Sequence, residues 1–299
     1  MILGMTFYQI MWFFIIYSFL GWIVEVVFQA GNAGKIVNRG FLNGPVCPIY
    51  GVGMVTILAA LNLATGAEAA QVSKVNAGLI FVGATVLASV IELVAGWILF
   101  KLFHVRWWDY TDDPFNIGGY VCPIFSLGWG LGAVLVIRVV HPVIYKLVEK
   151  MPVNAGIILA YTFIAIYLID IILTVLTLIG INKRLKELDG LNKSMRIVSD
   201  NLSEVIGEGS LATTKIITES ATKARVKFDE NIKNTSLKIS ESQIKRIQIK
   251  EELHKFMNGR KRFEINRMVK AFPNLKESKK ISLIMEVLEE YKNKKKKSE

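Results

Sequence analysis

Cysteine, histidine and proline are scarce in this chain, which excludes several classes of protein. The 299 residues include two cysteines, three histidines and seven prolines. Two cysteines cannot form the framework of a disulfide-rich secreted domain. The sequence has no HExxH or GxSxG motif and no Walker P-loop, since the segment 190–194 lacks the first glycine and its spacing. These absences predict a protein that is not an enzyme, does not hydrolyse ATP alone, and holds no metal or other cofactor.

Charge is distributed very unevenly along the chain. Residues 1–182 contain 8 Lys+Arg and 8 Asp+Glu, whereas residues 183–299 contain 28 and 17. The whole net charge of +11 therefore belongs to the second segment. A hydrophobic content of 52% with only 20% charged residues does not fit one ordinary soluble domain. The sequence predicts a neutral, apolar domain over 1–182 and a basic tail over 183–299.

Long apolar runs account for most of the first domain. They cover residues 3–28, 46–64, 77–103, 120–144 and 155–181. Each reaches the length of about 20 residues that a helix needs to cross a bilayer core. The first run is too long for a signal peptide and no basic segment precedes it. Because backbone in lipid must satisfy its own hydrogen bonds, the sequence predicts an all-α integral membrane protein with five transmembrane helices.

The start of the basic tail predicts the orientation. Lys183, Arg184 and Lys186 follow the fifth run directly, and basic residues beside spans favour the cytoplasmic side. With five spans, the tail would be cytoplasmic and the N-terminus outside. The loops at 29–45 and 104–119 would then also face the cytoplasm. The predicted localisation is a multi-pass protein of the cell membrane.

The first domain contains an internal repeat, with copies at about 1–75 and 76–150 and a constant offset of 75 residues. The matches include Gly21-Trp22-Ile23 with Gly96-Trp97-Ile98, Val46-Cys47-Pro48-Ile49 with Val121-Cys122-Pro123-Ile124, and Tyr50 with Phe125. Each copy contains two spans, so both copies share one orientation in the membrane. This pattern predicts a parallel repeat about an axis along the membrane normal. The duplication could serve a pathway at the repeat interface or simply a stable bundle.

Two long motifs resemble a known family. One is the segment 107–123, which contains Trp107-Trp108-Asp109-Tyr110 and Gly119-Tyr120-Val121-Cys122-Pro123, and the other is the segment 38–51. These motifs resemble the CmpB-like family of ABC-transporter type IV membrane proteins, and residues 267–275 resemble a segment near the end of its members. The resemblance implies a multi-pass protein of the bacterial inner membrane that is labelled a permease. A permease of the ABC type would need a separate ATPase subunit as partner.

Acidic residues within the apolar runs are the leading candidates for a functional site. Glu25, Glu92 and Asp170 lie in the first, third and fifth runs, where ionisable groups are costly and mark functional sites by default. They could bind a cation or relay protons along a substrate or ion pathway, with Arg138 or His141 as partners. The alternative is a set of structural polar contacts between helices, each of which stabilises by about 1 kcal/mol.

The motif loops are the second candidate region. They could form a gate or a partner-docking face, while Trp107, Trp108 and Tyr110 could equally anchor the protein at the membrane interface. Cys47 and Cys122 could approach each other and bind a soft metal, but two thiols are too few for a complete site, and buried small residues are the favoured interpretation. The candidate loop residues are Asn38, Arg39, Gly44, Pro45, Cys47, Pro48, Trp107, Trp108, Asp109, Tyr110, Asn116, Gly119, Cys122 and Pro123.

The tail shows a helical pattern. Apolar residues recur at alternating spacings of three and four from Leu188 to Val205, which is typical of a short coiled coil and of possible homo-oligomers. The basic run Lys294–Lys297 could approach anionic lipid, at about 1 kcal/mol per residue, or could simply be a solvated end. No nucleic-acid-binding motif accompanies the charge, so we expect no nucleic-acid partner.

Three functions remain open from the sequence. The leading hypothesis is a membrane transport subunit that resembles an ABC permease and lacks its own ATPase site. The alternative is a membrane anchor or scaffold that recruits a partner through its helical tail. The third, an acid-dependent intramembrane enzyme, rests on the acidic residues in the spans alone.

Overall fold

A computed structural model of the chain describes residues 2–33, 38–104 and 106–180, together with a few isolated positions after residue 182. The described residues up to Leu178 belong to one compact unit. Almost all of the basic tail, including the predicted coiled-coil segment, lies outside the described residues. The tail and the domain boundary at residue 182 therefore stay predictions.

Five helices form the described part of the chain: α1 (Phe7–Ala33), α2 (Pro48–Thr65), α3 (Ala77–Phe103), α4 (Pro123–Lys150) and α5 (Val153–Gly180). All five are long and apolar enough to cross a membrane, which confirms the five predicted spans. No β-strand occurs within the described ranges. The fourth helix continues beyond the predicted end near residue 144, because the segment up to Lys150 keeps one apolar face.

Local signals explain where the helices begin and end. Pro48 and Pro123 occupy the first turns of α2 and α4, where a missing N–H costs no hydrogen bond. The Asn76 side chain caps α3 by accepting hydrogen bonds from the backbone N–H groups of Gly78 and Leu79. Gly66 ends α2 in the left-handed conformation, with φ at 71°, which glycine adopts at little cost.

A π-helical segment, Val136–Val140, interrupts α4. Pro142 is the second residue after this segment and has no N–H for the carbonyl of Arg138, so the regular hydrogen-bond pattern cannot continue through this point. A local widening of the helix is the usual response to such a defect.

The helices pair as α1 with α2 and α3 with α4, and α2 also packs on α3. Gly4 lies beside Asn62 and Gly21 lies beside Tyr50, so α1 and α2 run antiparallel. The aromatic contact of Trp12 with Phe163 places α5 along α1. Loops 38–47 and 106–122 consequently lie at the same end of the bundle, which we call the loop end.

Apolar side chains fill the interior of the bundle and also cover its outer surface. Phe13, Leu58, Ile80 and Ile137 are among its fully buried side chains. Large apolar side chains such as Val82, Val86 and Val90 cover the outer surface. An outer surface of this kind is costly in water and suits hydrocarbon, so the fold is that of a multi-pass membrane protein.

Candidate functional site

Asp170 of α5 holds the first motif loop onto the bundle. Its Oδ2 accepts a hydrogen bond from the Gly44 N–H at 2.7 Å, and its Oδ1 accepts from the Asn43 side-chain amide at 2.9 Å. The Asn43 N–H and the Thr174 hydroxyl also donate to Oδ1, both at 3.3 Å. All four donors come from the loop or from α5 itself. Asp170 therefore anchors loop 38–47 to α5.

The tryptophan of the first Gly-Trp pair also holds this loop. The Trp22 Nε1–H donates to Asn38 Oδ1 at 2.7 Å, and the Asn38 side-chain amide donates to the Asn43 carbonyl at 2.9 Å. Its counterpart in the second copy is different: Trp97 is about half exposed, and the Lys101 ammonium lies over its ring. The same residue type thus orders a loop in one copy and lies on the surface in the other.

This contrast gives a matched pair of substitutions. Trp22→Phe removes the donor to Asn38 and is expected to lower the free energy of unfolding by about 1–2 kcal/mol. Trp97→Phe makes the same chemical change at an exposed position and should cost less than about 0.5 kcal/mol. Thermal unfolding in detergent would measure both, and equal losses would contradict the role assigned to Trp22.

Glu25 of α1 is paired with Arg39 of the first motif loop and with Tyr50 of α2. The Tyr50 hydroxyl of α2 donates to Glu25 Oε1 at 2.7 Å. The Arg39 Nε lies 3.4 Å from Oε2, and the guanidinium also packs over the Phe28 ring. Both oxygens of Glu25 therefore have a partner, and its charge is balanced by Arg39.

Glu92 of α3 is more deeply buried and less well satisfied. It is 7% exposed, and its Oε1 accepts a hydrogen bond from the Tyr110 hydroxyl at 3.0 Å. The Trp129 side chain of α4 also interacts with the carboxyl group. Within the described ranges, Oε2 has no hydrogen bond of standard geometry, and no ion pair with Glu92 is present.

Tyr110 reaches Glu92 from the second motif loop. Its ring stacks on Phe125, with the centroids 4.7 Å apart. Burial raises the pKa of Tyr110, and the nearby carboxylates of Glu92 and Glu25 raise it further. The phenol therefore stays protonated and remains a hydrogen-bond donor at neutral pH.

A continuous set of side chains connects the two glutamates. Tyr50, which bonds Glu25, packs edge-on against Trp129, with the ring centroids 5.6 Å apart, and Trp129 reaches Glu92. Glu25 also interacts electrostatically with Glu92 and with Tyr110. We call this set the two-glutamate network. Its members are Glu25, Arg39, Tyr50, Glu92, Tyr110 and Trp129.

The second motif loop is ordered mainly by its own polar groups. Arg106 donates to the Gly118 carbonyl at 2.8 Å and pairs with Asp109 at 3.1 Å. The Asn116 side chain accepts a hydrogen bond from the Gly119 N–H at 2.9 Å. Gly119 has φ at 73°, and a Cβ there would overlap Arg106. Glycine is therefore required at this turn.

The tryptophans of the second loop pack inward. Trp107 is buried against Phe103 and contacts Phe41 of the first loop, with ring centroids 5.5 Å apart. The Trp108 Nε1–H donates to the Tyr120 carbonyl at 2.9 Å, and its ring lies against Gly96. The two motif loops thus contact each other across the loop end.

The two cysteines lie at the starts of α2 and α4, next to Pro48 and Pro123. Cys47 and Cys122 are both buried thiols in extended backbone. The Cys47 N–H donates to the Ser18 carbonyl of α1 at 2.9 Å. Among the residues that the structure describes, no group of three or more His, Cys, Asp or Glu could hold a metal ion.

Arg138 and His141 are placed away from the two-glutamate network. Arg138 donates to the Val75 carbonyl at 3.0 Å, in the loop between α2 and α3. His141 is buried and bonds the Tyr17 hydroxyl at 2.7 Å and the Ala69 carbonyl at 2.9 Å. Both side chains join α4 to the opposite end of the bundle. The structure therefore does not bring either of them to the acidic pair.

Two members of the network are absent from the sequence-based site. Trp129 lies in an apolar run and matches Met54 at the repeat offset. The one signal that could have marked it as a site residue is that the two matched positions differ in residue type. Tyr50 differs from its counterpart Phe125 by one hydroxyl. That hydroxyl is the group that bonds Glu25, and the difference was a usable signal.

Comparison with known proteins identifies the family. The family described as "Putative ABC-transporter type IV" matches residues 12–175, which is more than half of the chain. The match covers α1 to most of α5 and includes both motif loops. No curated protein and no solved structure matches the chain. With five helices able to cross a membrane and this match over most of them, the chain belongs to the ABC-transporter type IV family of CmpB-like membrane proteins.

Proposed function

We propose that the chain is a membrane transport subunit whose substrate or ion pathway passes the two-glutamate network. The observation that carries the proposal is the network itself. Two carboxyl groups from different apolar helices are joined through Tyr50 of α2 and Trp129 of α4, and each also contacts a side chain of one motif loop. Charged groups within spans are costly, and a protein that needed only stability would gain little from two of them.

A duplicated architecture, which the sequence repeat predicts, would suit a pathway between the copies. Gly51 of α2 packs on Phe14 of α1. The positions 75 residues after Gly51 and Phe14 are Ser126 of α4 and Ser89 of α3. Their hydroxyl groups lie 2.7 Å apart. Equivalent positions therefore meet in both helix pairs. The network lies where the two pairs adjoin, through the contact of Tyr50 with Trp129.

A transporter of the ABC type needs an ATPase, and this chain has no P-loop of its own. We propose that a separate ATPase subunit docks on the loop end. Phe115 projects from the second motif loop with 88% of its surface exposed, and Ile117 beside it is 59% exposed. Exposed apolar side chains on an ordered loop suit a protein contact.

The docking proposal is tested by purification of the tagged full chain from its native membranes in mild detergent. An ATPase subunit should copurify and be identified by mass spectrometry. Phe115→Ala should lower its recovery by roughly 30-fold, if the side chain contributes about 2 kcal/mol as contact hot spots do. Glu68→Gln, at an exposed position of the opposite end, is the matched control. Recovery of the chain with no ATPase would count against this function.

The second candidate is a membrane anchor whose tail recruits a partner, and the charge of the tail favours it. Residues 183–299 carry the whole surplus of +11, which suits an acidic partner or an anionic membrane surface. A chain that ends at residue 182 separates the two functions. Under the transport proposal it still copurifies with the ATPase, whereas under the anchor proposal it loses its partner completely.

A further inference from the structure

The two-glutamate network contains two carboxyl groups and one cation. Arg39 lies 3.4 Å from Glu25 and balances its charge. The remaining groups that face Glu92 are the hydroxyl of Tyr110 and the indole of Trp129, and Tyr50 donates to Glu25. None of these three carries a positive charge. With both glutamates ionised, the network would hold one uncompensated negative charge inside an apolar bundle.

The oxygen atoms of the pair are almost fully occupied. Both oxygens of Glu25 have partners, and Oε1 of Glu92 accepts from Tyr110. Glu92 Oε2 remains, buried and without a hydrogen bond of standard geometry among the described residues. A buried carboxylate oxygen without a donor is one of the most unfavourable polar groups a protein can hold. The structure thus places at the centre of the network one buried carboxylate oxygen that is satisfied by no cation and by no hydrogen bond of standard geometry among the described residues.

The number of free oxygens decides which cation fits. Metal cations such as Ca²⁺ and Mg²⁺ require about six or more oxygen ligands. No group of three or more His, Cys, Asp or Glu that could hold a metal ion occurs in the described ranges. One oxygen cannot replace the hydration shell of a metal ion, but it is sufficient for a proton.

We infer that Glu92 is a proton-binding site, and that this protein carries a proton on Oε2 in its resting state. This inference rests on the proposed function and names the proton as the ion that the pathway holds. Binding forms one O–H bond on Glu92 and converts its carboxylate to a neutral carboxylic acid. The network is then electrically balanced, with Glu25 and Arg39 as its charged pair. Release of the proton restores the free oxygen and the negative charge.

Infrared spectroscopy of the full chain in detergent tests the inference directly. At neutral pH the protein should show the carbonyl band of a carboxylic acid, and the band should disappear as the pH is raised. Glu92→Gln should remove the band at every pH above the range in which ordinary carboxyl groups titrate. Glu149→Gln, a glutamate of α4 that pairs with Gln9 near the opposite end of the bundle, should leave the band unchanged. Absence of the band, or its persistence in Glu92→Gln, would overturn the inference.

Stability provides a second measurement. A proton bound in the folded state and not in the unfolded state makes stability fall as the pH rises. Wild-type protein should therefore lose thermal stability as the pH rises from about 4.3, where an ordinary glutamate ionises, to the pH at which Glu92 releases its proton. Glu92→Gln resembles the protonated side chain in size and charge, so the two proteins should be equally stable in acid, below the pKa of an ordinary glutamate, and the variant should be the more stable at neutral pH and above. Identical pH dependence in both proteins would contradict proton binding at Glu92.

The two proposals can fail separately. Neither measurement needs an ATPase, a substrate or a transport assay, so a proton band without a copurifying ATPase would retain the site and reject the ABC-type mechanism. Titration with sodium or potassium chloride at constant ionic strength covers the remaining case. Loss of the acid band on addition of either salt would show that a metal cation competes for the site, and the assignment of a proton would be wrong.

Discussion

Gly51→Ala is expected to destabilise the protein by about 2–3 kcal/mol, although it adds a single methyl group. Gly51 lies where α2 crosses α1. A Cβ at this position would lie 2.5 Å from the Phe14 carbonyl oxygen and 2.8 Å from the Phe14 ring, and it would overlap Ser18 as well. The first of these atoms belongs to the backbone, so no side-chain rotation relieves the overlap. The two helices must move apart.

Gly53→Ala is the matched control for this change. Gly53 lies on the same helix, two residues away, and nothing lies within 4 Å of a Cβ built there. Alanine is the better helix former by about 0.8–1 kcal/mol, so this variant should be equal to the wild type or slightly more stable. Thermal unfolding in detergent, followed by size-exclusion chromatography, measures both variants. Similar behaviour of the two would mean that α1 and α2 do not pack as closely as described.

Asp170→Ala is expected to release the first motif loop from the bundle. The carboxylate accepts hydrogen bonds from the N–H groups of Asn43 and Gly44, from the Asn43 side chain and from Thr174. Alanine removes the acceptor that these half-buried loop donors share, although the Asn43 side chain still donates to Thr174, and the loss costs about 2–4 kcal/mol in total. The loss should appear as increased opening of loop 38–47.

Cys47 reports this opening, because its thiol is buried at the end of the same loop. In a background without Cys122, Asp170→Ala should increase the labelling rate of Cys47 by roughly 30-fold or more, since about 1.4 kcal/mol corresponds to a factor of ten. Labelling of Cys122, in a background without Cys47, should change little. Thr162→Ala, at an exposed position of α5, is the control for that helix. An unchanged rate at Cys47 would contradict the anchoring role of Asp170.

The anchoring role separates Asp170 from the other acidic residues of the spans. The sequence placed Glu25, Glu92 and Asp170 in one class, because each is an acid in an apolar run. The structure gives each a different environment: Asp170 accepts hydrogen bonds from four donors, Glu25 is paired with Arg39, and Glu92 has a buried oxygen with no hydrogen bond of standard geometry among the described residues. Only the partners of a carboxylate distinguish a loop cap from an ion site, and a partner 127 residues away in the chain has no signature in the local sequence.

The repeat shows a related limit of the sequence. A comparison at the repeat offset identifies equivalent positions, but it does not show which contacts their side chains make. The counterpart of Glu25 is Phe100, which packs against Arg106, and the counterpart of Glu92 is Tyr17, which bonds His141. The acidic pair therefore comes from non-equivalent positions of the two copies. Phe125, the counterpart of Tyr50, has no hydroxyl group to donate. Tyr110 stacks on the Phe125 ring and donates its own hydroxyl to Glu92.

The sequence by itself determined the helical class, the number of helices able to cross a membrane and the two helix starts at Pro48 and Pro123. These features depend on residues close together in the chain: apolar length, the fixed φ of proline and local charge. Only the tertiary structure decided that Glu25 and Glu92 share a network and that Trp129 connects their partners. In an apolar bundle a carboxyl group takes whatever donors the neighbouring helices bring to it. That arrangement follows from how the helices pack, which the local pattern of residues does not specify.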